Sequence, residues 1–298
     1  MNTRMLLALT VWALPAYAGD KIEERADADP RGEVEVSNIS GSVEISGWDR
    51  NQVEVKGRLG DSAERLEFVP ERRHTLIKVV YSKNHEHRGG DLDTKLMIRL
   101  PAQSRLEVTT VSADIAVADM KGRQSLGTVS GDVVTAVAGE RIDLRTVSGD
   151  ARVTGDGSQS ELKMQTVSGD AVVRDVGGEL TVTSVSGDLQ VFAGRAERVT
   201  ARSTSGEIGL NLGLAEDASI EAETVSGEVV LDLEDGGNAD YAIETFSGDI
   251  DNCFGPKPQR KSQYAPGTEL RFVTGNGSAQ VRVNTLSGSI ELCDRVSD

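Results

Sequence analysis

The chain has 298 residues, with 48 acidic and 32 basic side chains, and a formal net charge of -16 at pH 7. This charge argues against a nucleic-acid ligand, because an extended phosphate backbone requires basic residues to neutralise it. Aromatic residues make up only 4% of the chain while glycine contributes 32 residues, which favours thin, tightly turned β-structure over a bulky globule.

Residues 1–18 have the pattern of a secretory signal peptide. Arg4 lies in a short basic region, an apolar run follows over residues 5–13, and a small-residue cleavage motif ends at Ala18. The apolar run falls short of the roughly 20 residues that span a bilayer, which disfavours a retained membrane anchor. No later segment is long and apolar enough to be a transmembrane segment. The sequence therefore predicts an exported protein, periplasmic or at the cell surface, whose mature chain begins with a flexible segment over residues 19–32.

Residues 33–105 are predicted to form an N-terminal β coil and a cap. A first coil surrounds Ser40, and longer strand candidates follow over residues 52–56, 75–82 and 95–100. Stacked β-coils need ends that stop edge-to-edge growth, so we expect this region to close one end of the repeats that follow.

A five-residue word, most often Thr-Val-Ser-Gly-Asp, recurs through the rest of the chain at intervals of 18–21 residues, and the last interval of 40 residues equals two such units. Apolar residues alternate on both sides of the word, as at Ile142 and Leu144 before Ser148 and at Ala151 and Val153 after it. This period of two predicts a strand with one buried face on each side of a Ser-Gly corner. The corner residues of the repeats are Ser130, Gly131, Ser148, Gly149, Ser168, Gly169, Ser186, Gly187, Ser205, Gly206, Ser226, Gly227, Ser247 and Gly248.

A unit of this size cannot bury its apolar face alone and must stack on its neighbours. The sequence therefore predicts an all-β fold, a single-chain parallel β-solenoid (β-helix) over residues 106–294, with equivalent residues in columns about 4.8 Å apart. A β-propeller is the alternative, but a blade needs about 40 residues, twice the size of this unit. We explain the corner glycine by a left-handed or tight turn in which a Cβ would clash. Ala113 replaces it in the first regular word and is expected to mark the transition from cap to solenoid.

Hydroxyl side chains flank the valine of each word. An outward-facing Thr-x-Ser array would be typical of ice-binding solenoids. The threonine, however, shares its face with the apolar pair ahead of it, as Thr146 does with Ile142 and Leu144. The hydroxyls are therefore predicted to point inward and to satisfy backbone amides of the corner.

Cys253 and Cys293 each lie six residues after the serine of their own word. Coils one step apart would bring them within disulfide range, whereas two steps, about 9.6 Å, would not. Residues 254–268 are rich in proline and basic side chains and are expected to loop out of the rod. Such a loop, with export to an oxidising compartment, favours a disulfide over two buried free thiols.

The acidic residue that ends each word forms a second predicted column. Its carboxylates would repel one another at strand spacing unless solvent, corner amides or cations offset the charge. Calcium is the one cofactor hypothesis, because it prefers several carboxylate and carbonyl oxygens. The denser Gly-Gly-x-Gly-x-Asp pattern of calcium-binding β-rolls is absent, which favours solvated turn aspartates. The candidate calcium column is Asp132, Asp150, Asp170, Asp188, Glu207, Glu228 and Asp249.

Enzyme motifs are not found. No serine lies in a Gly-x-Ser-x-Gly nucleophile context, and Trp48 is the only tryptophan beyond the signal peptide, which leaves little to stack on a sugar. We expect no catalytic residues, and a polysaccharide-acting enzyme is the third hypothesis for function.

Three features occur together in this chain: the repeated Val-Ser-Gly-Asp words, the segment 98–101 leading into 106–110, and Gly275-Asn276-Gly277 ahead of the last strands. Together they resemble a widespread bacterial family, the "putative adhesin" class of domains of unknown function, over about residues 30–294. The resemblance implies an exported, repetitive β-solenoid without known catalytic residues. Some members of that family resemble components of envelope stress responses.

We therefore expect a non-enzymatic, adhesin-like interaction protein of the bacterial envelope or surface, whose partner is an envelope or surface protein or glycan. The alternative is a periplasmic protein that senses envelope stress or regulates a membrane partner, with its basic loop at residues 257–261 as the point of contact.

Overall fold

The computed structural model describes residues 21–81, 93–233, 238–262 and 266–293, and the predicted signal peptide lies outside these ranges. Within them the chain consists of strands and turns. The strands are β1 (Lys21–Asp27), β2 (Glu33–Trp48), β3 (Gln52–Arg58), β4 (Ala63–Pro70), β5 (His74–Tyr81), β6 (Thr94–Pro101), β7 (Arg105–Ala118), β8 (Gln124–Gly127), β9 (Val133–Ala136), β10 (Arg141–Arg145), β11 (Ala151–Thr154), β12 (Gln159–Gln165), β13 (Ala171–Arg174), β14 (Gly177–Thr183), β15 (Leu189–Ser203), β16 (Ile208–Thr224), β17 (Val229–Leu233), β18 (Ala239–Thr245), β19 (Ile250–Asn252), β20 (Gln259–Arg260), β21 (Thr268–Val273), β22 (Ala279–Thr285) and β23 (Ile290–Cys293).

The repeats stack in parallel, with one column of strands before the corner word and one after it. Before the word, β10 pairs with β8 on one side and with β12 on the other, so that Leu144 is aligned with Leu126 and Met164. After the word, β11 pairs in the same way with β9 and β13. These parallel ladders confirm the all-β solenoid and exclude a propeller built from separate antiparallel blades.

The core lies between the two columns and consists of stacked aliphatic side chains. Ile142, Leu144, Ala151 and Val153 are at most 1% exposed, and the residues between them face outward or are half-buried. Small and branched aliphatic residues fill a thin core without aromatic bulk, which explains the low aromatic content of the chain.

At the N-terminal end the order of coils in space differs from their order in sequence. The long strand β2 pairs in parallel with β7 on one side and with β5 and β6 on the other. The first coil of the chain therefore lies second in the rod. Residues 21–27, assigned from the sequence to a flexible segment, instead form β1, which pairs antiparallel with β3.

The C-terminal end repeats this arrangement. Strand β22 pairs with β16 and with β18, and β23 pairs with β17 and β19, so the last coil lies between two earlier ones. The 40 residues between Ser247 and Ser287 do not form two successive coils, as the sequence suggests. The described part of 254–268 leaves the rod after β19, and β21 then returns antiparallel along β18.

Counted over the described residues, eleven coils form a rod roughly 50 Å long at the strand spacing. Their order in space is β5–β6, β2, β7, β8–β9, β10–β11, β12–β13, β14 with the first part of β15, the remainder of β15 with the first part of β16, the remainder of β16 with β17, β22–β23, and β18–β19.

Antiparallel strands cover the ends of the parallel columns. At the N-terminal end β3 pairs with β6, and β4 with β5. Glu54 of β3 is buried there, and the hydrogen bond from Arg25, followed by that from Lys56, lowers the pKa of its carboxyl. At the other end the ring of Phe272 on β21 stacks on Tyr241, with their centroids 4.5 Å apart. Both columns thus end on an antiparallel strand at the N-terminal end, and β21 covers the edge of β18 at the other end.

The corner glycines stack directly on one another along the rod. A Cβ on Gly149 would lie 1.8 Å from the carbonyl oxygen of Gly131, and a Cβ on Gly169 would lie 2.0 Å from that of Gly149. The φ angles of Gly131, Gly149 and Gly169 are outside the left-handed region, so close approach of the backbones, and not a left-handed turn, requires glycine at these corners. Gly41 and Gly206 differ from them, with φ angles of 106° and 150°. Ala113 replaces glycine in this column within the continuous strand β7, and it lies between Gly131 and Gly41. Coils of the rod lie on both sides of Ala113, so it does not mark the transition from cap to solenoid.

Gly149→Ala is expected to destabilise the protein by about 2 to 3 kcal/mol, because the new Cβ would force adjacent coils apart. The measurement is the free energy of unfolding in urea. Gly194→Ala is the matched control, since no atom lies within 4 Å of its Cβ position, and it should change the stability by less than about 0.5 kcal/mol. Equal effects of the two substitutions would contradict a packing role for the glycine column.

Candidate functional site

The corner words continue the hydrogen-bond ladder from one strand column to the other. The backbone N–H of Ser148 donates to the carbonyl of Val129 in the preceding coil at 2.9 Å, and Ser168 donates in the same way to Val147 at 2.8 Å. Each corner is therefore held at the same spacing as the strands, and side chains at equivalent corner positions form continuous columns on the surface.

The first residue of each word points inward, as predicted for the threonine. Thr146 is 4% exposed, and its hydroxyl accepts a hydrogen bond from the N–H of Gly149 at 3.1 Å. Thr166 does the same for Gly169 at 3.1 Å, and Ser184 takes this role in its own coil. The buried hydroxyl satisfies a corner amide that would otherwise lack a partner.

The next two residues of each word point outward, which corrects part of the sequence prediction. Ser148, Ser168 and Ser186 are exposed, so the serine hydroxyls do not join the threonines in the core. The corner interrupts the strict alternation of a strand, and parity arguments fail beyond the threonine.

The apolar residue of each word forms a continuous stripe on the outside of the rod, here called the apolar ridge. Its side chains are 38% to 54% exposed. From the coil of β2 to the coil of β18 and β19, every coil contributes one corner residue to the stripe, and Thr204, between Val185 and Val225, is the one polar residue in it. The members, in order along the rod, are Ile39, Val111, Val129, Val147, Val167, Val185, Val225, Leu286 and Phe246.

The acidic residues beside the ridge form a side-chain ladder. Oδ1 of Asp132 accepts the N–H of Asp150 at 2.9 Å, and Oδ1 of Asp150 accepts the N–H of Asp170 at 3.1 Å. The same bond joins each pair of neighbours from Asp114 to Glu207. One oxygen of each aspartate thus links adjacent coils, and the corner amides offset part of the repulsion between the stacked carboxylates.

The candidate calcium column occupies the exposed edge of this ladder. Asp132, Asp170, Asp188, Glu207, Glu228 and Asp249 are exposed, and Asp150 is half-buried. Among the residues that the structure describes, no three His, Cys, Asp or Glu side chains are grouped so as to hold a metal ion.

Cys253 and Cys293 form a disulfide, with their Cα atoms 4.9 Å apart. Cys253 follows β19 and Cys293 ends β23, and these two strands are neighbours in the stack. The disulfide therefore ties the outermost coil to the coil beneath it.

A family model described as "Toastrack DUF4097" matches residues 33–293, and it bears out the resemblance described above. No curated protein sequence matches the chain.

The chain is similar to several solved structures. One is described as a putative lipid binding protein from Parabacteroides distasonis ATCC 8503, with 15% identity, 92% of this chain and 97% of that chain covered, and a TM-score of 0.52. Another is a putative adhesin from the same organism, with 12% identity, 92% and 98% covered, and a TM-score of 0.38. A third is a putative cell adhesion protein from Clostridium sporogenes ATCC 15579, with 10% identity, 93% and 100% covered, and a TM-score of 0.22. At such identities the likeness concerns the fold alone.

The part of the chain described by the structure contains no helix that is long and apolar enough to cross a membrane.

Asp170→Ala should lower the free energy of unfolding by about 1 kcal/mol, because the N–H of Asp188 loses its acceptor. Asp170→Asn keeps an acceptor oxygen and removes one charge from the column, so we expect it to stay within about 0.5 kcal/mol of the unaltered protein. Urea unfolding in the absence of divalent cations measures both. An asparagine variant as unstable as the alanine variant would show that charge, and not the hydrogen bond, makes the contribution.

Proposed function

This chain belongs to the Toastrack DUF4097 family, and we propose that it acts as an adhesin-like, non-enzymatic interaction protein of the bacterial envelope that binds a partner protein along its apolar ridge. A solved protein of similar fold is described as a putative lipid binding protein, which agrees with a binding role.

The observation that carries this proposal is the exposure of the ridge. Nine of its ten corner positions carry a large apolar side chain at 38% to 54% exposure, with Thr204 as the exception. Isolated apolar residues are common on protein surfaces, but a contiguous apolar stripe is typical of an interaction surface. Because the ridge follows the rod, it offers a long, narrow contact rather than a closed pocket.

The surroundings of the ridge indicate the chemistry of the partner. A serine hydroxyl follows the ridge position in every word, and an acidic residue lies two positions after that serine in eight of the ten words, as in Val167-Ser168-Gly169-Asp170. A complementary surface would present an apolar strip bordered by lysine or arginine side chains. Such a combination is available on a protein and is not available on a neutral glycan, so we assign a protein as the partner.

The protein reaches this partner by export, on the evidence of the signal peptide pattern over residues 1–18. An outward location on the cell surface agrees with adhesion, whereas a periplasmic location agrees with the envelope-sensing alternative. The basic loop invoked by that alternative is partly neutralised: the hydrogen bond from Lys261, followed by that from Arg271, lowers the pKa of Glu244. We therefore favour the ridge over the loop as the contact surface.

A ridge variant with Val147→Thr, Val167→Thr and Val185→Thr should bind its partner about tenfold more weakly or worse, because it removes the apolar contact at three consecutive coils. Threonine suits these positions, since Thr204 already occupies one of them. The measurement is binding of fluorescently labelled protein to intact bacterial cells, before and after the cells are treated with protease.

The matched control is Val69→Thr, Val134→Thr and Val273→Thr, three equally exposed valines outside the ridge. The control should bind like the unaltered protein, and both variants should keep its melting temperature. If the ridge variant bound as well as the unaltered protein, the apolar ridge would not be the binding surface. If binding survived protease treatment of the cells but not glycosidase treatment, the partner would be a glycan and not a protein.

Protease treatment of intact cells should degrade the protein, as detected with an antibody to residues 19–298, if it lies on the outer surface. A periplasmic protein of known location serves as the control for cell integrity. Protection of the chain until the outer envelope is permeabilised would contradict adhesion and favour the periplasmic regulatory alternative.

A further inference from the structure

A basic groove lies on the rod at the turns that precede the first strand of each coil, away from the corner words. It has a volume of about 1030 Å³ and is lined by six basic side chains, with Glu33 and Glu140 as the acidic residues in its lining. The groove is thus positively charged, although the chain as a whole carries a formal net charge of -16. The basic side chains are Arg31, Arg73, Arg105, Lys121, Arg123 and Arg141.

Three of these arginines are stacked in successive coils. The N–H of Leu106 donates to the carbonyl of Arg123 at 2.9 Å, which places Arg105 beside Arg123. The register that aligns Gln124 with Ile142 places Arg123 beside Arg141. Like charges directly opposite one another on neighbouring strands are destabilising. On its other side Arg105 is aligned with Glu33, but no acidic residue separates the three arginines from one another. Their stacking therefore carries an electrostatic cost.

Counter-charges within the protein offset only part of this cost. Arg141 forms an ion pair with Glu161 at 2.7 Å, and Arg73 is 3.9 Å from Asp29. In the described ranges, no carboxylate lies within 4.0 Å of the charged nitrogens of Arg105, Lys121 or Arg123, and all three side chains are exposed.

Farther along the rod, the column that contains Arg105, Arg123 and Arg141 holds acidic as well as basic side chains. There Glu161 and Glu179 are followed by Arg198, and Arg198 is paired with Glu179 at 3.3 Å. The excess of positive charge is therefore confined to the groove and is not a general property of the turns.

We propose that the basic groove binds a small ligand, of lipid-headgroup size, that carries several phosphate groups. The guanidinium group matches phosphate through paired N–H donors, and five of the six basic residues are arginines. Phosphate concentrates up to two charges and three acceptor oxygens in one small group, so a ligand of headgroup size can engage six cations within this volume. Carboxylate ligands of the same size carry fewer charges. This site is separate from the apolar ridge and extends the function proposed above.

Titration calorimetry with sodium tripolyphosphate as the probe tests this assignment. The unaltered protein should bind it with an affinity that falls as the salt concentration rises. A groove variant with Arg105→Gln, Lys121→Gln and Arg123→Gln should bind at least about tenfold more weakly. The melting temperature of this variant should not fall, because it relieves repulsion between stacked charges. A second variant, Arg105→Lys with Arg123→Lys, keeps the charge and should give an intermediate affinity.

The control variant removes three basic charges outside the groove, with Lys95→Gln, Arg195→Gln and Arg282→Gln, and should bind like the unaltered protein. The ridge variant should also bind tripolyphosphate with the affinity of the unaltered protein. A wrong assignment of the groove can therefore be distinguished from a wrong assignment of the ridge. Equal losses in the groove and control variants, or no binding at all, would overturn the proposal.

Further probes distinguish the source of the phosphate. Sedimentation with cardiolipin vesicles, whose headgroup carries two phosphates, but not with phosphatidylcholine vesicles would support the proposal and place the phosphates on a lipid. Binding of tripolyphosphate alone would support it with a soluble polyanion. Equal affinity for polygalacturonate would overturn the phosphate assignment in favour of carboxylates. Binding confined to a single-stranded oligonucleotide would also overturn it.

Discussion

The close approach of one coil to the next is the constraint on which this structure depends. Backbones at the corners stack so tightly that a Cβ on Gly149 would collide with the carbonyl of Gly131. This contact lets the hydrogen-bond ladder pass through the corner, because the serine N–H of each word reaches the coil below. The inward threonine and the aspartate ladder then satisfy the remaining corner amides. The threonine, serine, glycine and aspartate of the word therefore each contribute in a different way to the contact between adjacent coils.

Repetition of this contact turns every outward position into a column with one chemical character. A valine at one corner is an ordinary exposed residue, whereas the same valine in most coils becomes the apolar ridge. Arginine at one turn is likewise unremarkable, but Arg105, Arg123 and Arg141 in successive coils form one side of the basic groove. Charged and apolar side chains are therefore arranged in columns along the rod, and the two proposed binding surfaces follow these columns.

Periodicity in the sequence was sufficient to predict the solenoid, the corners and the inward threonines, because local spacing determines which face a residue occupies. The direction of the serines was not predictable in that way, since the corner breaks the alternation. The basic groove was missed although Arg105, Arg123 and Arg141 recur at intervals of 18 residues, the interval of the repeat itself. Arg31 and Arg73 join them only through the altered order of coils at that end.

The order of coils was itself beyond prediction, because words at Ser247 and Ser287 are equivalent in sequence and fit either position in the stack. Cys253 and Cys293 would be neighbours in both orders, so their pairing does not decide between them. The outermost coil, β18 and β19, is distinguished by its edge facing away from β22. There β21 runs antiparallel along β18, and Phe272 packs on Tyr241.

The insertion of β22 and β23 below an earlier coil affects how the chain can fold. A simple repeat protein can add coils in the order of the chain. Here the coil of β18 and β19 is joined to β16 and β17 only through residues 279–293, which lie between them and come later in the chain. Until those residues have docked, the open edge of β16 and β17 can accept the wrong coil with nearly the same hydrogen bonds. A chain truncated before residues 279–293 has no native partner for that edge of β16 and β17.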